Sequence, residues 1–519
     1  MQRRELLKGI GAVGATIGVG GLLVNGTLTA SATETSASKL PVNYKQLFNQ
    51  ALANDPDLIG FANVENNFSK QALTVEGVIP KDINGTFLRN GPGKHERGEL
   101  RYKHLFEGDG MLQSFTIADG KISHYGKFIN TPKFSQEQSA QKFLYSGPDT
   151  HINNALPVSS ADMINTANTN VISVGDDLWA LWEAGSPTRV NAETLEYQQQ
   201  INLGENSKYA SSLNGLPFSA HPKIEANGDI WNFGLNPSGH IVLYHLSANG
   251  QMKNVGIVDA KYKGGMLHDF LMTEKHLLLI LPSLTTSAST SKEQQGYFSR
   301  IGFNKNQAMR VLVVNKDDLT ISKQFELPAG FAFHYGNAWE ESNGTIHFDA
   351  SLYPNIDVLH NLSKVMMGEI NNANVDAKMA LFTLYPNGKA TQAVLEQNSE
   401  FPRVCDHLVG QKYQQLYHLS SNHNSLWSDS VCRFEVSSGI EDKFDFGKDF
   451  LVEEHITVCP KNKEGSGYLI GTALHVPSKR TCLNIFQANN LAQGPICRAW
   501  LPYHLPLGFH GSFKANHIG

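Results

Sequence analysis

Val171-Ile172-Ser173-Val174-Gly175-Asp176-Asp177-Leu178-Trp179-Ala180-Leu181-Trp182 holds two short apolar runs joined by a polar turn. Each run is too short for a globular helix and is bounded by turn residues, so the segment reads as a β-hairpin. The same pattern recurs along the chain. Lys223-Ile224-Glu225 and Ile230-Trp231-Asn232-Phe233 flank Asn227-Gly228. That dipeptide supplies the left-handed conformation a tight hairpin needs. Residues 276–281 (HLLLIL), 310–314 (RVLVV), 344–348 (GTIHF), 378–384 (KMALFTL) and 467–475 (GYLIGTALH) continue the series, with a further turn at Tyr385-Pro386-Asn387-Gly388-Lys389. Helical periodicity is confined to residues 43–54, 137–144 and 355–370. Many short strands at regular spacing predict an all-β sandwich, barrel or propeller. A chain of this length suits a propeller best. No exact repeat is visible, so periodicity does not set the blade number.

The composition excludes several classes. The 519 residues are 41% hydrophobic and 18% charged, with 46 Gly and 21 Pro, which rules out wholesale disorder, collagen and coiled coil. The net charge is −5 and no dense basic run follows the first ten residues, so no nucleic-acid partner is expected. The five cysteines, Cys405, Cys432, Cys459, Cys482 and Cys497, form no Cys-x-x-Cys pair. They read mainly as small buried residues. An oxidising compartment would permit a disulfide between two of them, and the sequence does not select the pair.

The N-terminus predicts that compartment. Met1-Gln2-Arg3-Arg4-Glu5-Leu6-Leu7-Lys8 is followed by an uncharged, glycine-diluted stretch that ends in Ala30-Ser31-Ala32. A basic start, an uncharged core and an Ala-x-Ala end describe a cleavable signal, and the arginine pair resembles the twin-arginine type. The alternative is an uncleaved membrane anchor, which the glycines weaken. The expected organisation is a signal over 1–32, a flexible lead over 33–45 and one domain over 46–519, exported to the periplasm by the twin-arginine machinery.

Twenty histidines are present, and four stand beside apolar strand-like residues or tight turns. They are His221 in Phe218-Ser219-Ala220-His221-Pro222, His268 in Met266-Leu267-His268-Asp269-Phe270, His334 in Phe333-His334-Tyr335-Gly336-Asn337, and His510 in Gly508-Phe509-His510-Gly511. Such wide separations fit ligands delivered by different strands to one axis. Imidazole suits Fe, Cu, Zn or Ni. Spacing alone does not select these four from twenty.

Motifs in order along the chain do. Asn84-Gly85-Thr86-Phe87-Leu88-Arg89-Asn90-Gly91-Pro92, His104-Leu105-Phe106-Glu107-Gly108-Asp109-Gly110-Met111, Asn168-Thr169-Asn170-Val171, Ala180-Leu181-Trp182-Glu183 and the four histidine settings together resemble the carotenoid cleavage oxygenase family, which includes stilbene-cleaving dioxygenases. The resemblance covers nearly the whole mature chain. It implies a seven-bladed β-propeller with a few short helices and loops capping one face. It also implies one Fe(II) on the axis, held by His221, His268, His334 and His510. It further implies outer carboxylates from Glu183, Glu400 and Glu453, the last with Glu454 as a neighbour that could take its place. Asp109 is read as structural, Gly108 and Gly110 as serving a tight turn, and His95 and His104 as non-ligands.

The implied reaction is oxidative cleavage of a carbon–carbon double bond by O2 to two carbonyl products. The expected substrate is a carotenoid or apocarotenoid, with peripheral membrane contact for its uptake. A stilbene-like phenolic is the alternative. It would need a Tyr and a Lys near the cleaved bond, for which Tyr102, Tyr125 and Lys133 lie in suitable segments. Two competing readings are a propeller that binds without catalysing and an exported quinoprotein dehydrogenase. The first would be marked by a lost ligand and the second by quinone and calcium motifs, neither of which is seen.

Overall fold

The computed structural model describes residues 43–204, 213, 215–287, 296–369, 376–423, 426–460 and 463–516. The signal and most of the lead lie outside these residues. Seven antiparallel sheets of four or five strands form the blades, with two short two-stranded ribbons beside them. The chain is a seven-bladed β-propeller.

Two strands close the ring. The first blade pairs the C-terminal strand Gly511–Ala515 with Gly85–Lys94, Asp109–Ala118, Lys121–Phe128 and Phe68–Ala72. The seventh begins with Phe450–Val458 and ends on the N-terminal strand Thr74–Gly77, which pairs with Cys497–Trp500. Each end of the domain is thus bonded into a blade built mainly from the other end. The five blades between are sequential meanders.

The hairpins form where the apolar runs and turns predict. Asn170–Val174 pairs with Asp177–Leu181 across the Gly175 turn, and Lys223–Ile224 pairs with Ile230–Leu235. Gly228 and Gly388 adopt φ of 88° and 87°, the left-handed conformation that their turns require. The core lies between blades. One cluster packs Leu278, Val311 and Val313 of the fourth blade on Phe348 and Phe382 of the fifth, all nearly sealed from solvent. Burying each such side chain contributes roughly 1.5–3 kcal/mol.

Three helical expectations resolve differently. Tyr44–Asn54 is a helix whose N-cap Asn43 accepts from the Gln46 amide, so residues 43–45 belong to an ordered helix start. The predicted 137–144 helix instead spans Pro132–Ala140. Thr131 caps it, Pro132 fits its first turn, and Gln141 stops it in the left-handed region at φ 53°. Asp357–Met366 occupies the centre of the third predicted helix.

Gly108 and Gly110 do not make a positive-φ turn. They are small because of crowding. A Cβ on Gly108 would lie 2.6 Å from the His95 ring, and one on Gly110 would lie 2.5 Å from the Ala167 carbonyl oxygen. Two cysteines are joined as Cys405–Cys459, while Cys432, Cys482 and Cys497 are buried free thiols.

Candidate metal centre

Every blade delivers one ionisable side chain to the axis. His510 directly precedes the strand Gly511–Ala515 of the first blade. His221 and His268 stand just before Lys223–Ile224 and Leu271–Met272, which open the third and fourth. His334 follows Phe331–Ala332, which opens the fifth. Glu183 follows Asp177–Leu181 of the second, Glu400 begins Glu400–Arg403 of the sixth, and Glu454 lies within Phe450–Val458 of the seventh. These strand ends meet only because the sheets are arranged in a ring.

The four histidines are buried, and one side-chain nitrogen of each lies within 4.8 Å of the others. His221 Nε2 stands 2.9 Å from His268 Nε2. The outward nitrogens are held by carboxylates. His334 Nδ1 is 2.5 Å from Glu400 Oε2, His510 Nδ1 is 3.0 Å from Glu454 Oε1, and His268 Nδ1 pairs with Glu183. No carboxylate pairs with His221 among the described residues. A carboxylate only accepts, so the Glu400 and Glu454 hydrogen bonds place the imidazole protons of His334 and His510 on Nδ1 and leave their Nε2 lone pairs aimed at the axis, while Glu183 holds His268 through an ion pair.

This donor set fits a cation. His334 Nε2 is buried with no hydrogen-bond partner. Burial and the three other imidazoles hold His221 well below its ordinary pKa, so it resists the proton that would otherwise occupy the space. Burial brings His510 down to about 4. Burial also works against a charged His268, yet Glu183 raises it. Iron, copper, zinc or nickel would each accept four neutral imidazoles.

The third outer carboxylate corrects the choice of Glu453. Glu453 and Glu454 share a β-bulge between Val452 and His455, where the register shifts, so alternation along the strand does not say which of them meets the centre. Glu454 faces His510. Glu453 instead pairs with Arg89 and accepts from the Thr472 hydroxyl and the Gly508 amide. It therefore anchors the segment leading into His510 without touching any histidine of the centre. Arg403 completes the inner arrangement, its Nε lying 2.9 Å from Glu454 Oε1. Against the upward push of burial, Arg403 and His510 hold Glu454 down to about 2.

Two partners of Glu400 were not legible beforehand. The Tyr353 hydroxyl donates to its Oε1 at 2.6 Å, and the Phe401 amide donates to its Oε2 at 2.8 Å. Phe401 has φ of 49°, a strained conformation for an aromatic residue, and stacks on His334 at 4.8 Å. Its position in Ser-Glu-Phe-Pro gave no hint of this.

His268, His334 and His510 open onto a cavity of about 1100 Å³ lined by Phe106, Phe333, Phe401, Phe509, Trp182 and Trp427, among others. Tyr102, Tyr125 and Lys133 do not line it. Lys133 is buried and donates to Tyr102 at 2.7 Å, Asp109 at 2.8 Å and Glu137 at 2.9 Å. Arg97 adds a contact to Asp109 at 2.5 Å, so Asp109 is the structural centre of a charge network. His104 is likewise structural. Its Nε2 meets the Leu359 carbonyl at 3.1 Å, and its Nδ1 accepts from the Phe106 amide.

An axial four-histidine centre with outer carboxylates, opening on an aromatic cavity inside a seven-bladed propeller, is the architecture of a non-haem metal protein that handles apolar molecules. Residues 61–515 match the family model described as retinal pigment epithelial membrane protein, RPE65, and the chain belongs to that family. It is 28% identical over 486 residues to the apocarotenoid-15,15'-oxygenase of Synechocystis, an alignment covering 88% of this chain and 95% of that one. It is 27% identical to carotenoid 9,10(9',10')-cleavage dioxygenase 1 of Pisum sativum, covering 85% and 86%. It is 26% identical to lignostilbene-alpha,beta-dioxygenase isozyme III of Sphingomonas paucimobilis, covering 89% and 98%. A solved variant of the Synechocystis apocarotenoid oxygenase superposes with a TM-score of 0.79 at 26% identity, covering 89% and 98%. That enzyme has also been solved in a cobalt-substituted form, with a TM-score of 0.78 at 25% identity.

Proposed function

We propose that this protein is an Fe(II) dioxygenase that cleaves a double bond of a carotenoid or apocarotenoid. The observation that carries the reading is the convergence of four buried imidazoles on one axis, three of them opening on an aromatic cavity. The named activities of the relatives support it. Bound by His221, His268, His334 and His510, Fe(II) would supply activation of O2 toward the alkene, with both oxygen atoms entering the two carbonyl products.

The chain's own residues have definable tasks. Glu400 and Glu454 keep the protons of His334 and His510 on Nδ1, and with Glu183 beside His268 they hold the ring planes. Phe333 and Phe401 flank His334 and exclude water on that side, with ring centroids 6.1 and 4.8 Å away. The aromatic walls orient an extended conjugated chain, so that one bond is presented to the centre.

A polyene is favoured over a phenolic alkene because Lys133 and Tyr102 are committed to the Asp109–Glu137 network, away from the cavity. We further propose twin-arginine export to the periplasm and peripheral contact with a membrane that supplies the substrate. The Cys405–Cys459 disulfide supports the oxidising location.

The test is metal content of protein purified under low oxygen without chelator, followed by turnover of a carotenoid and stilbene panel. About one iron per chain and carbonyl products from an apocarotenoid are expected. His334→Ala should lose both iron and turnover. Full activity in that variant would remove the four-histidine centre.

A further inference from the structure

The sixth blade holds a second group of metal-ligating side chains, remote from the axis in function and unused by the reaction. His418 and Cys432 face each other directly across the neighbouring strands Gln415–Ser420 and Ser430–Glu435. Glu441 comes from the next strand, Ile440–Asp445, two residues before Lys443, the cross-strand partner of Cys432. Residues two apart share a face of a strand, so all three side chains emerge on one side of the blade. An imidazole nitrogen, the thiol sulfur and a carboxylate oxygen lie within 4.8 Å of one another.

The polar atoms here are unsatisfied in a specific way. The His418 side chain is wholly buried, and its Nδ1 lies 3.1 Å from the Leu419 carbonyl oxygen. A carbonyl only accepts, so the ring proton is on Nδ1 and Nε2 carries the lone pair. That is the arrangement a metal-bound histidine adopts. His418 Nε2 has no hydrogen-bond partner, and neither has Glu441 Oε1, 3.4 Å away. Two lone pairs facing each other at 3.4 Å beside a thiol sulfur make a ready seat for a cation.

We propose that His418, Cys432 and Glu441 form a second, thiolate-containing site for a divalent cation of the zinc class. Zinc takes nitrogen, sulfur and carboxylate oxygen at roughly 2.0–2.3 Å, which places tetrahedral ligands roughly 3.3–3.8 Å apart. The observed spacing accommodates that set. Binding converts the Cys432 thiol to a metal thiolate and releases one proton per ion bound. Burial and the neighbouring Glu441 hold the free thiol well above its ordinary pKa, so the thiol stays protonated until a metal displaces the proton. Lys443 is held aside, its Nζ donating to Asn422 at 2.8 Å. The Glu441 side chain is 21% exposed, which leaves a fourth position open to water. Leu419, next to His418, is the register partner of Glu400, so the ion would brace the strand that backs the axial centre.

The thiolate makes the site separately visible, because the axial centre contains only imidazole. Cobalt(II) is titrated into the iron-loaded full-length protein while the near-ultraviolet thiolate-to-cobalt charge-transfer band is followed. One band saturating at one equivalent is expected, displaced by zinc, absent in Cys432→Ser and weakened at least tenfold in affinity in His418→Gln. Iron content is measured on the same samples, so failure of the iron reading and of this one are distinguished. Absence of the band in the folded wild-type protein would overturn the proposal and leave a plain His418–Glu441 ion pair. So would a band that persists in Cys432→Ser.

Discussion

Glu454 Oε1 lies 3.0 Å from His510 Nδ1, and the same oxygen receives Arg403 Nε at 2.9 Å. One buried carboxylate thus joins the axial centre to a cation from the sixth blade. Its backbone neighbour Glu453 makes the corresponding link from Arg89 to the Gly508 amide.

The two glutamates should therefore fail differently. Glu454→Gln removes the negative charge shared by His510 and Arg403 and should weaken metal affinity by about 10–100-fold. Glu453→Gln leaves the Arg89 guanidinium buried without its charge partner and should lower stability by about 3–5 kcal/mol. Chelator competition and denaturant unfolding of both variants check this. Equal loss of metal affinity in the two would contradict the assignment of Glu454.

The disulfide should act on the same region. Cys405 lies five residues after Glu400 and Cys459 five after Glu454, and Thr457 Oγ1 donates to the Val404 carbonyl between them. The bond closes a loop of 54 residues, for which chain entropy gives about 4 kcal/mol. Reduced protein, or the Cys405→Ser/Cys459→Ser double variant, should unfold at a clearly lower temperature and bind metal less tightly. Melting curves with and without reductant that coincide would show that the link carries no stability.

Lys133 separates a structural from a substrate role. Lys133→Met leaves Arg97 to balance two buried carboxylates, Asp109 and Glu137, and should cost about 3–5 kcal/mol. Any surviving activity should fall alike for phenolic and non-phenolic alkenes. A loss confined to phenolic substrates would place Lys133 at the cleaved bond instead.

Acid should destabilise the fold well before carboxylates titrate. Burial pushes His95, His104 and His124 down to about 3 and His455 to about 4, against 6.5 when unfolded. Between pH 6.5 and 4 the unfolded chain takes up protons that the folded chain refuses. Each of the four groups then removes about 1.4 kcal/mol per pH unit as pH falls. Asp349 acts oppositely, because burial raises it to about 6 and the folded state gains its proton first. Burial raises Glu107, Asp149, Asp376 and Asp406 as well, so the carboxylates blunt the histidine effect at lower pH, and the denaturation midpoint of chelated, metal-free protein should fall between pH 6.5 and pH 5. A flat profile would mean that these rings are open to water.

Most of the architecture was legible because strand and turn are local properties. Asn227-Gly228 and the apolar runs at 276–281 and 378–384 specify hairpins through steric preference and a period of two, whatever surrounds them. The four histidines became legible through ordered motifs rather than spacing. The choice between Glu453 and Glu454 did not, because the two sit in a β-bulge and only packing decides which of them meets His510. The Pro132 start of its helix was missed because proline reads as a breaker until its place in the first turn is known. The sequence by itself determined a β-rich repeating chain with four candidate imidazoles and an export signal to be tested. Tertiary structure alone decided that seven strand ends from seven blades share one axis, that Cys405 meets Cys459, and that Lys133 is spent on a buried ion network. Those are contacts between residues far apart in the chain, and ring closure, not local preference, brings them together.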